Sequence, residues 1–437
     1  MSSTNSPPSN ARAVAAHALG AILRRGRTLD QALAAAPGLD LLPPRDAAFS
    51  RLLLLTTLRR LGQIDAYLAG LMDHPLPARR GPVQDVLRLG VCQLAFLETP
   101  PHAAVASTVA LAHGSRLSPY RGLVNAVLRR ASREHGAIAD LDAPRLNTPD
   151  WLWNSWTEAY GEVTCRAIAE AHLGEPPLDL SPVSDAEDRV EALRATLGAQ
   201  GLPGGTLRLR GAGEVTRLAG YEAGEWWVQD AAAALPARLL GAVAGKRVLE
   251  IGAAPGGKTA QLAAAGARVV ALDRSTSRLA RLRENLARLR LEAEIVEADA
   301  LEWSPPTPAD MVLLDAPCTA TGTIRRHPDI PHLRGPADVG RLAALQGRLL
   351  ARAATMVAPG GLLVYVSCSL QPEECERQVN AFLAASPNFA RLPVLADEIP
   401  GLREAVTAVG DLRTLPSHWA EYGGMDGFYA ARLRHHP

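Results

Sequence analysis

From residue 247 to about 366 the chain alternates short apolar runs with amphipathic stretches, and this alternation constrains the fold more than any other feature. Runs of aliphatic residues at 248–251, 269–272, 293–296, 311–314 and 362–366 read as strands. Segments 258–265, 278–289 and 341–356 carry the apolar spacing of helices. Strands joined through helices pair in parallel. The pattern therefore predicts a mostly parallel, doubly wound sheet with its site beyond the carboxyl ends of the strands.

Before about residue 136 the pattern is helical throughout, with helices predicted over 12–25, 45–72, 83–97, 102–113 and 120–134. Ser118 is placed to cap the last of these, and Pro119 suits its first turn. Leu123, Val124, Val127 and Leu128 share one apolar face, leaving Arg129, Arg130 and Arg133 for solvent or for a phosphate backbone. Residues 1–150 hold 17 arginines against 11 acids, although the whole chain carries a formal charge of only +1. Asp, Pro and Asn crowd 140–150, a linker composition, before helical spacing returns at 150–172. Apolar runs broken by glycine at 207–230, including Trp226-Trp227-Val228, suggest a small α/β module, and a helix at 231–240 leads into the first strand of the C-terminal sheet. The 437 residues thus divide into an all-α domain at 1–140, a linker and small α/β module at 141–232, and an α/β domain at 233–437.

Apolar residues at 47% and charged residues at 21% exclude a largely disordered chain. The five cysteines, Cys92, Cys165, Cys318, Cys368 and Cys375, are too scattered for a disulfide framework, and the absence of any C-x-x-C pair argues against a bound metal. Cys92 and Cys165 lie in helical segments, and Cys375 in Glu-rich sequence that reads as surface. The polar stretch Met1 to Asn10 has no secretory pattern, and no run of eighteen apolar residues occurs. A soluble, cytoplasmic monomer without membrane contact is expected. Of 46 basic residues only Lys246 and Lys258 are lysine, which makes each of them notable.

The strand at 248–251 ends in Gly252-Ala253-Ala254-Pro255-Gly256-Gly257-Lys258-Thr259 and runs straight into a helix. Glycines let a backbone approach a ligand, and helix-terminal N–H groups favour a negative group. Taken literally, this octapeptide satisfies the phosphate-loop pattern of nucleotide hydrolases, and Asp315 resembles the magnesium-binding acid of such enzymes. The strand at 269–272 supports a different ligand. It is followed by Asp273, 21 residues beyond Gly252, where a Rossmann-like sheet reads ribose hydroxyls. Asp299 follows the next strand and is placed for a base edge. Three acids at three strand ends suit an adenosine moiety without a triphosphate.

The fourth strand runs into Asp315-Ala316-Pro317-Cys318, and the fifth into Ser367-Cys368-Ser369. A single cysteine is commonly a small core residue. Two of five, each just beyond a strand end facing one crevice, together form a candidate nucleophilic pair, with Asp315 as a tunable carboxylate beside them.

These residues resemble the motif set of the RNA 5-methylcytosine methyltransferases, with Ser367, Thr319 and Gly252 standing where that family usually has Thr, Ser and often Cys. The stretch from Arg325 to Ile330 and the terminal Asp426-Gly427-Phe428 resemble further blocks of the family. The segment from Leu123 to Arg130 resembles the end of a NusB-like domain, which marks a branch acting on bacterial small-subunit ribosomal RNA. Glu175 to Ser181 stands where relatives place an Arg-containing strand segment.

The resemblance implies a Rossmann-like methyltransferase domain, S-adenosylmethionine as cofactor and RNA as partner. It implies Cys368 as the nucleophile that adds to cytosine C6, Asp315 as the group at N3, and Cys318 as the residue that removes the C5 proton. The target base must be unpaired or flipped out. Gly252, Ala253, Ala254, Pro255, Gly256, Gly257 and Lys258 would approach the methionine part of the cofactor. Asp273 would hold its ribose and Asp299 its adenine, with Asp315 also beside it. Arg325, Arg326 and His327 are expected on a loop contacting RNA. Two other classes remain: a phosphate-loop ATPase, and a non-catalytic RNA-binding assembly factor in which both cysteines are dispensable.

Overall fold

A computed structural model describes residues 10–77, 80–113 and 116–436. The polar stretch considered above for targeting lies outside the described residues as far as Ser9. The chain divides into two compact units, one running up to Leu173 and including Arg326–Gly335, the other comprising Gly174–Arg325 and Pro336 onward.

The first unit is helical. Asn10 caps α1 (Ala11–Arg25) by accepting from Ala13 N at 2.8 Å. A Thr28/Gln31 capping box starts α2 (Leu29–Ala34), a helix too short for periodicity to reveal. The helix predicted over 45–72 is two, α3 (Pro44–Arg59) and α4 (Leu61–Leu71), parted at Arg60, whose φ of −110° and ψ of 15° leave the helical region. Then come α5 (Gly81–Ala95), α6 (Pro101–Ala110) and α7 (Arg121–Arg133). Small side chains bring helices close: a Cβ on Gly90 of α5 would sit 2.5 Å from Leu128 of α7. Leu19, Leu53, Leu54, Leu87 and Leu128 lie fully buried in this core. Ser118 does not cap α7. It lies in a 3-10 turn, Ser118–Tyr120, and its hydroxyl donates to Ala112 O at 3.0 Å. Beyond α8 (Ala143–Leu146), the helix predicted over 150–172 is also two, α9 (Asp150–Tyr160) and α10 (Glu162–Ala171), broken at Gly161 with φ 82°.

The second unit opens with an antiparallel sheet of β1 (Leu178–Pro182), β2 (Gln200–Gly201), β3 (Leu207–Leu209) and β4 (Trp226–Val228), in the order β2-β3-β1-β4, with α11 (Glu187–Leu197) between β1 and β2. Asp179 on β1 and Arg208 on β3 face each other in register and form a buried bidentate pair at 2.7 and 2.6 Å. The segment from Glu175 to Ser181 therefore contributes a carboxylate to this pair, and Arg208 supplies the guanidinium.

Through α12 (Ala231–Arg238) the chain enters the large sheet, built from β5 (Arg247–Ile251), α13 (Gly257–Ala264), β6 (Arg268–Asp273), α14 (Thr276–Leu289), β7 (Glu294–Glu297) and β8 (Ala309–Asp315). Then α15 (Ile330–Leu333) belongs to the helical unit, where Asp329 Oδ2 accepts from Leu29 N at 2.8 Å. The sheet resumes with α16 (Pro336–Ala354), β9 (Val357–Ser367), α17 (Glu376–Ala385), β10 (Phe389–Arg391), β11 (Leu412–Thr414) and β12 (Phe428–His435). Strand order is β10-β12-β9-β8-β5-β6-β7, with β11 on β12. The five strands expected from the apolar runs pair in parallel, while β10, β11 and β12 make antiparallel pairs. No helix among the described residues is long and apolar enough to cross a membrane.

Candidate active site

Strands β5 and β8 are hydrogen-bonded neighbours although two strands separate them in sequence, so the chain leaves them in opposite directions across the sheet. That reversal opens a crevice at the strands' carboxyl ends. A cavity of about 430 Å³ lies there, lined by Gly252, Asp273, Asp299, Asp315, Cys318 and Cys368 among others. Five different strand ends thus bring the separately predicted residues to one place.

Gly252 has φ 80°, and a Cβ on it would stand 2.4 Å from Asp315 O, so the loop after β5 lies directly against the end of β8. Among the described residues of this loop Gly252 alone lines the cavity. Ala253, Ala254 and Gly256 are buried behind it, Pro255 is exposed, and Gly257 opens α13. Lys258 is buried, with its Nζ 2.7 Å from Asp315 Oδ2 and 5.4 Å from the centre of the Phe428 ring. Burial disfavours its charge, but the charge of Asp315 and its hydrogen bond, helped by Glu250 and Cys368, outweigh burial and raise the lysine above its ordinary value.

Behind the lysine, the Thr259 hydroxyl donates to Glu250 Oε2 at 2.6 Å, and both side chains are fully buried. Burial pushes Glu250 up to about 8. In the phosphate-loop reading, Lys258 and Thr259 would meet phosphate and magnesium, yet both face protein groups. The cavity wall presents Asp273, Asp299 and Asp315 beside Arg274 and Arg278, and its three carboxylates suit a ligand that offers hydrogen-bond donors. Asp273 is held by Ser275 N at 2.9 Å, Ala254 N at 3.2 Å and the Arg278 guanidinium at 3.3 Å. Asp299 is exposed, with one oxygen accepting from Leu301 N at 2.9 Å.

The sulfurs of Cys318 and Cys368 are 3.3 Å apart. The hydrogen bond to Cys368, then burial, then the charges of Cys368 and Glu374 raise Cys318 well above an ordinary thiol. Cys92 and Cys375 are pushed up to about 12 by burial and serve packing. Cys375 is not at the surface: it is fully buried, and its thiol donates to Ser369 O at 3.3 Å.

Of the loop expected to meet RNA at Arg325 to His327, the structure buries Arg325 and leaves Arg326 and His327 half-buried. Arg325 is 1% exposed and tied to Gly423 O at 2.6 Å and Asp230 Oδ2 at 3.3 Å, so it is a structural cation. Residues Arg326–Gly335 pack in the helical unit, and burial lowers His327 below the ordinary histidine range. Sequence reading missed Glu250, hidden inside an apolar strand, and Glu374, whose carboxylate accepts from the amide and hydroxyl of Thr319. Among the described residues no group of three His, Cys, Asp or Glu side chains is placed to hold a metal ion.

Residues 237–434 match the family model described as 16S rRNA methyltransferase RsmB/F, and residues 9–133 match the NusB family. The chain is 38% identical, over 97% of its length, to ribosomal RNA small subunit methyltransferase B of Pseudomonas putida, covering 98% of that protein. It is 36% identical, again over 97%, to the protein of that name from Vibrio vulnificus, covering 99%. Its fold matches crystallised PH0851 with a TM-score of 0.76 at 22% identity, over 98% of this chain and 99% of that one. The crystal structure of NSun6 from Pyrococcus horikoshii with SFG matches with a TM-score of 0.56 at 19% identity, over 66% of this chain and 98% of that one. With full-length relatives at this identity and both parts of the chain matched, the protein belongs to the RsmB/F family of 16S rRNA methyltransferases.

Proposed function

We propose that the protein transfers a methyl group from S-adenosylmethionine to C5 of a cytidine in small-subunit ribosomal RNA, through a covalent adduct at Cys368. One observation carries this reading: two cysteines with sulfurs 3.3 Å apart, at the ends of adjacent parallel strands, beside a cavity walled by carboxylates.

The cavity suits the cofactor chemically, because a sulfonium, an ammonium, ribose hydroxyls and an adenine amine all offer positive charge or donors to Asp273, Asp299 and Asp315. When bound, the cofactor supplies the electrophilic methyl. Gly252 to Lys258 would approach its methionine part, Asp273 the ribose and Asp299 the adenine.

Cytosine C5 is a weak nucleophile until C6 is attacked. The Cys368 thiolate forms the S–C6 bond, and the ring electron pair moves toward C5 and N3. Asp315, hydrogen-bonded to Lys258, passes a proton to N3 that the lysine ammonium supplies, so that negative charge does not accumulate there. Once C5 carries the methyl, its proton must leave. Cys318 is held protonated chiefly by Cys368, and that hold ends when Cys368 becomes a neutral thioether. Cys318 then gives its proton to solvent, as thiolate takes the one from C5, and the electron pair of the broken C5–H bond re-forms C5–C6 and expels Cys368 as thiolate.

The test is incubation of the purified protein with small-subunit ribosomal RNA and methyl-labelled S-adenosylmethionine. Label at cytosine C5, absent with Cys368→Ser, is expected. Equal labelling by Cys368→Ser rejects the nucleophile assignment, and label at another position rejects the product.

A further inference from the structure

The β8–β9 ladder carries backbone bonds as far as Ala316 N to Val366 O, at 2.9 Å, and both catalytic cysteines lie beyond it. Beyond it the loops share the backbone bond from Gly322 N to Cys368 O at 2.9 Å, and side chains add the rest. The Thr319 and Ser369 hydroxyls are 3.2 Å apart, Thr321 and Ser369 3.3 Å, and Thr321 Oγ1 accepts from Leu370 N at 2.9 Å. Each of these residues follows one cysteine or the other by one to three positions, and all three hydroxyl-bearing side chains are fully buried.

The end of this chain is Glu374, also fully buried. Its Oε1 accepts from Thr319 N at 2.8 Å and its Oε2 from the Thr319 hydroxyl at 2.5 Å. The Thr319 amide and hydroxyl both donate to this carboxyl, which fixes the direction of the network. Thr319 donates to Glu374 and is left to accept from Ser369. One carboxylate thereby joins the residue after Cys318 to the residue after Cys368.

We propose that Glu374 is a positioning residue for methyl transfer: acting through Thr319, it holds the Cys318 loop against the Cys368 loop and sets the geometry of proton removal and adduct release. This rests on the two-cysteine reading above. Glu374 also adds negative charge near Cys318, one of the influences that raise its thiol, and so strengthens it as the base of the release step. Glu374→Gln keeps the shape, but its amide N–H can only donate to the Thr319 hydroxyl, which reverses that hydrogen bond and the Thr319–Ser369 bond behind it. Adduct formation at Cys368 then survives while release slows.

The test compares wild type, Glu374→Gln, Thr319→Val, Thr319→Ser and Cys318→Ser, each with RNA and S-adenosylmethionine. Product turnover and the fraction of RNA surviving denaturation as a protein adduct are both measured. Glu374→Gln and Thr319→Val should lose roughly tenfold or more in kcat with KM for RNA unchanged and should accumulate adduct, a milder form of Cys318→Ser. Thr319→Ser, which keeps the hydroxyl, should behave as wild type. Loss of turnover without adduct accumulation, or no loss at all, overturns the role of Glu374 while Cys318→Ser still traps RNA. If Cys318→Ser itself traps nothing, the two-cysteine reading fails and this inference with it.

Discussion

At the scale of single residues, Glu250 gives the sharpest expectation. Its carboxyl is buried and raised to about 8 chiefly by loss of water. Below its ordinary value near 4.5 both folded and unfolded chains carry the proton. Between there and about 8 the folded chain keeps a proton that the unfolded chain releases. Stability from this group is therefore present in acid and lost as pH rises through that window. Glu250→Gln keeps an acceptor for Thr259 and has nothing to titrate. Relative to wild type it should gain about 2–4 kcal/mol in unfolding free energy between pH 5 and pH 8, read from urea denaturation at both. Parallel curves for the two proteins would remove the titration from Glu250. The cysteines and Asp315 were legible because they punctuate apolar strands at the ends that face a site. Glu250 and Glu374 were not, because Glu250 sits inside an apolar strand and the partner of Glu374, Thr319, is 55 residues away in sequence.

Among elements, the loops after β8 and β9 depend on backbone proximity. Gly322 N donates to Cys368 O at 2.9 Å, and Gly427 N to Gly322 O at 2.8 Å. A Cβ at 322 would fall 2.0 Å from Gly427 O and 2.8 Å from Cys368 O. Gly322→Ala should cost about 1–3 kcal/mol of stability and sharply reduce methyl transfer, because relieving the clash moves the Cys368 loop. An unchanged urea midpoint with full activity would show that the two loops are not coupled there. The parallel strands were readable as apolar runs. The antiparallel β12 was not, since Arg432 lies within it, buried and paired with Glu398 at 2.7 and 2.8 Å. The breaks at Arg60 and Gly161 escaped because apolar spacing continues across them.

For the whole molecule, charge is distributed unequally, and the helical unit carries the surplus of arginine. On α7, Val124, Val127 and Leu128 are buried as their spacing requires, while Arg129 and Arg133 are exposed. Arg130 is partly engaged with Glu134 and Leu71 O. If Arg129 and Arg133 meet RNA phosphates, replacing both with Ala should lower the slope of log affinity against log salt by about 1 to 2 and weaken different RNA sequences alike. An unchanged slope places the RNA on another face. The covalent adduct at the cysteine pair is the central claim of the proposed chemistry. Cys318→Ser should be incubated with small-subunit ribosomal RNA and S-adenosylmethionine, denatured and digested, and the peptide bearing the nucleotide identified. Attachment at Cys368, with a methyl on the cytosine, is the expected result. A nucleotide on any other residue, or none while wild type methylates the same RNA, would contradict the two-cysteine mechanism.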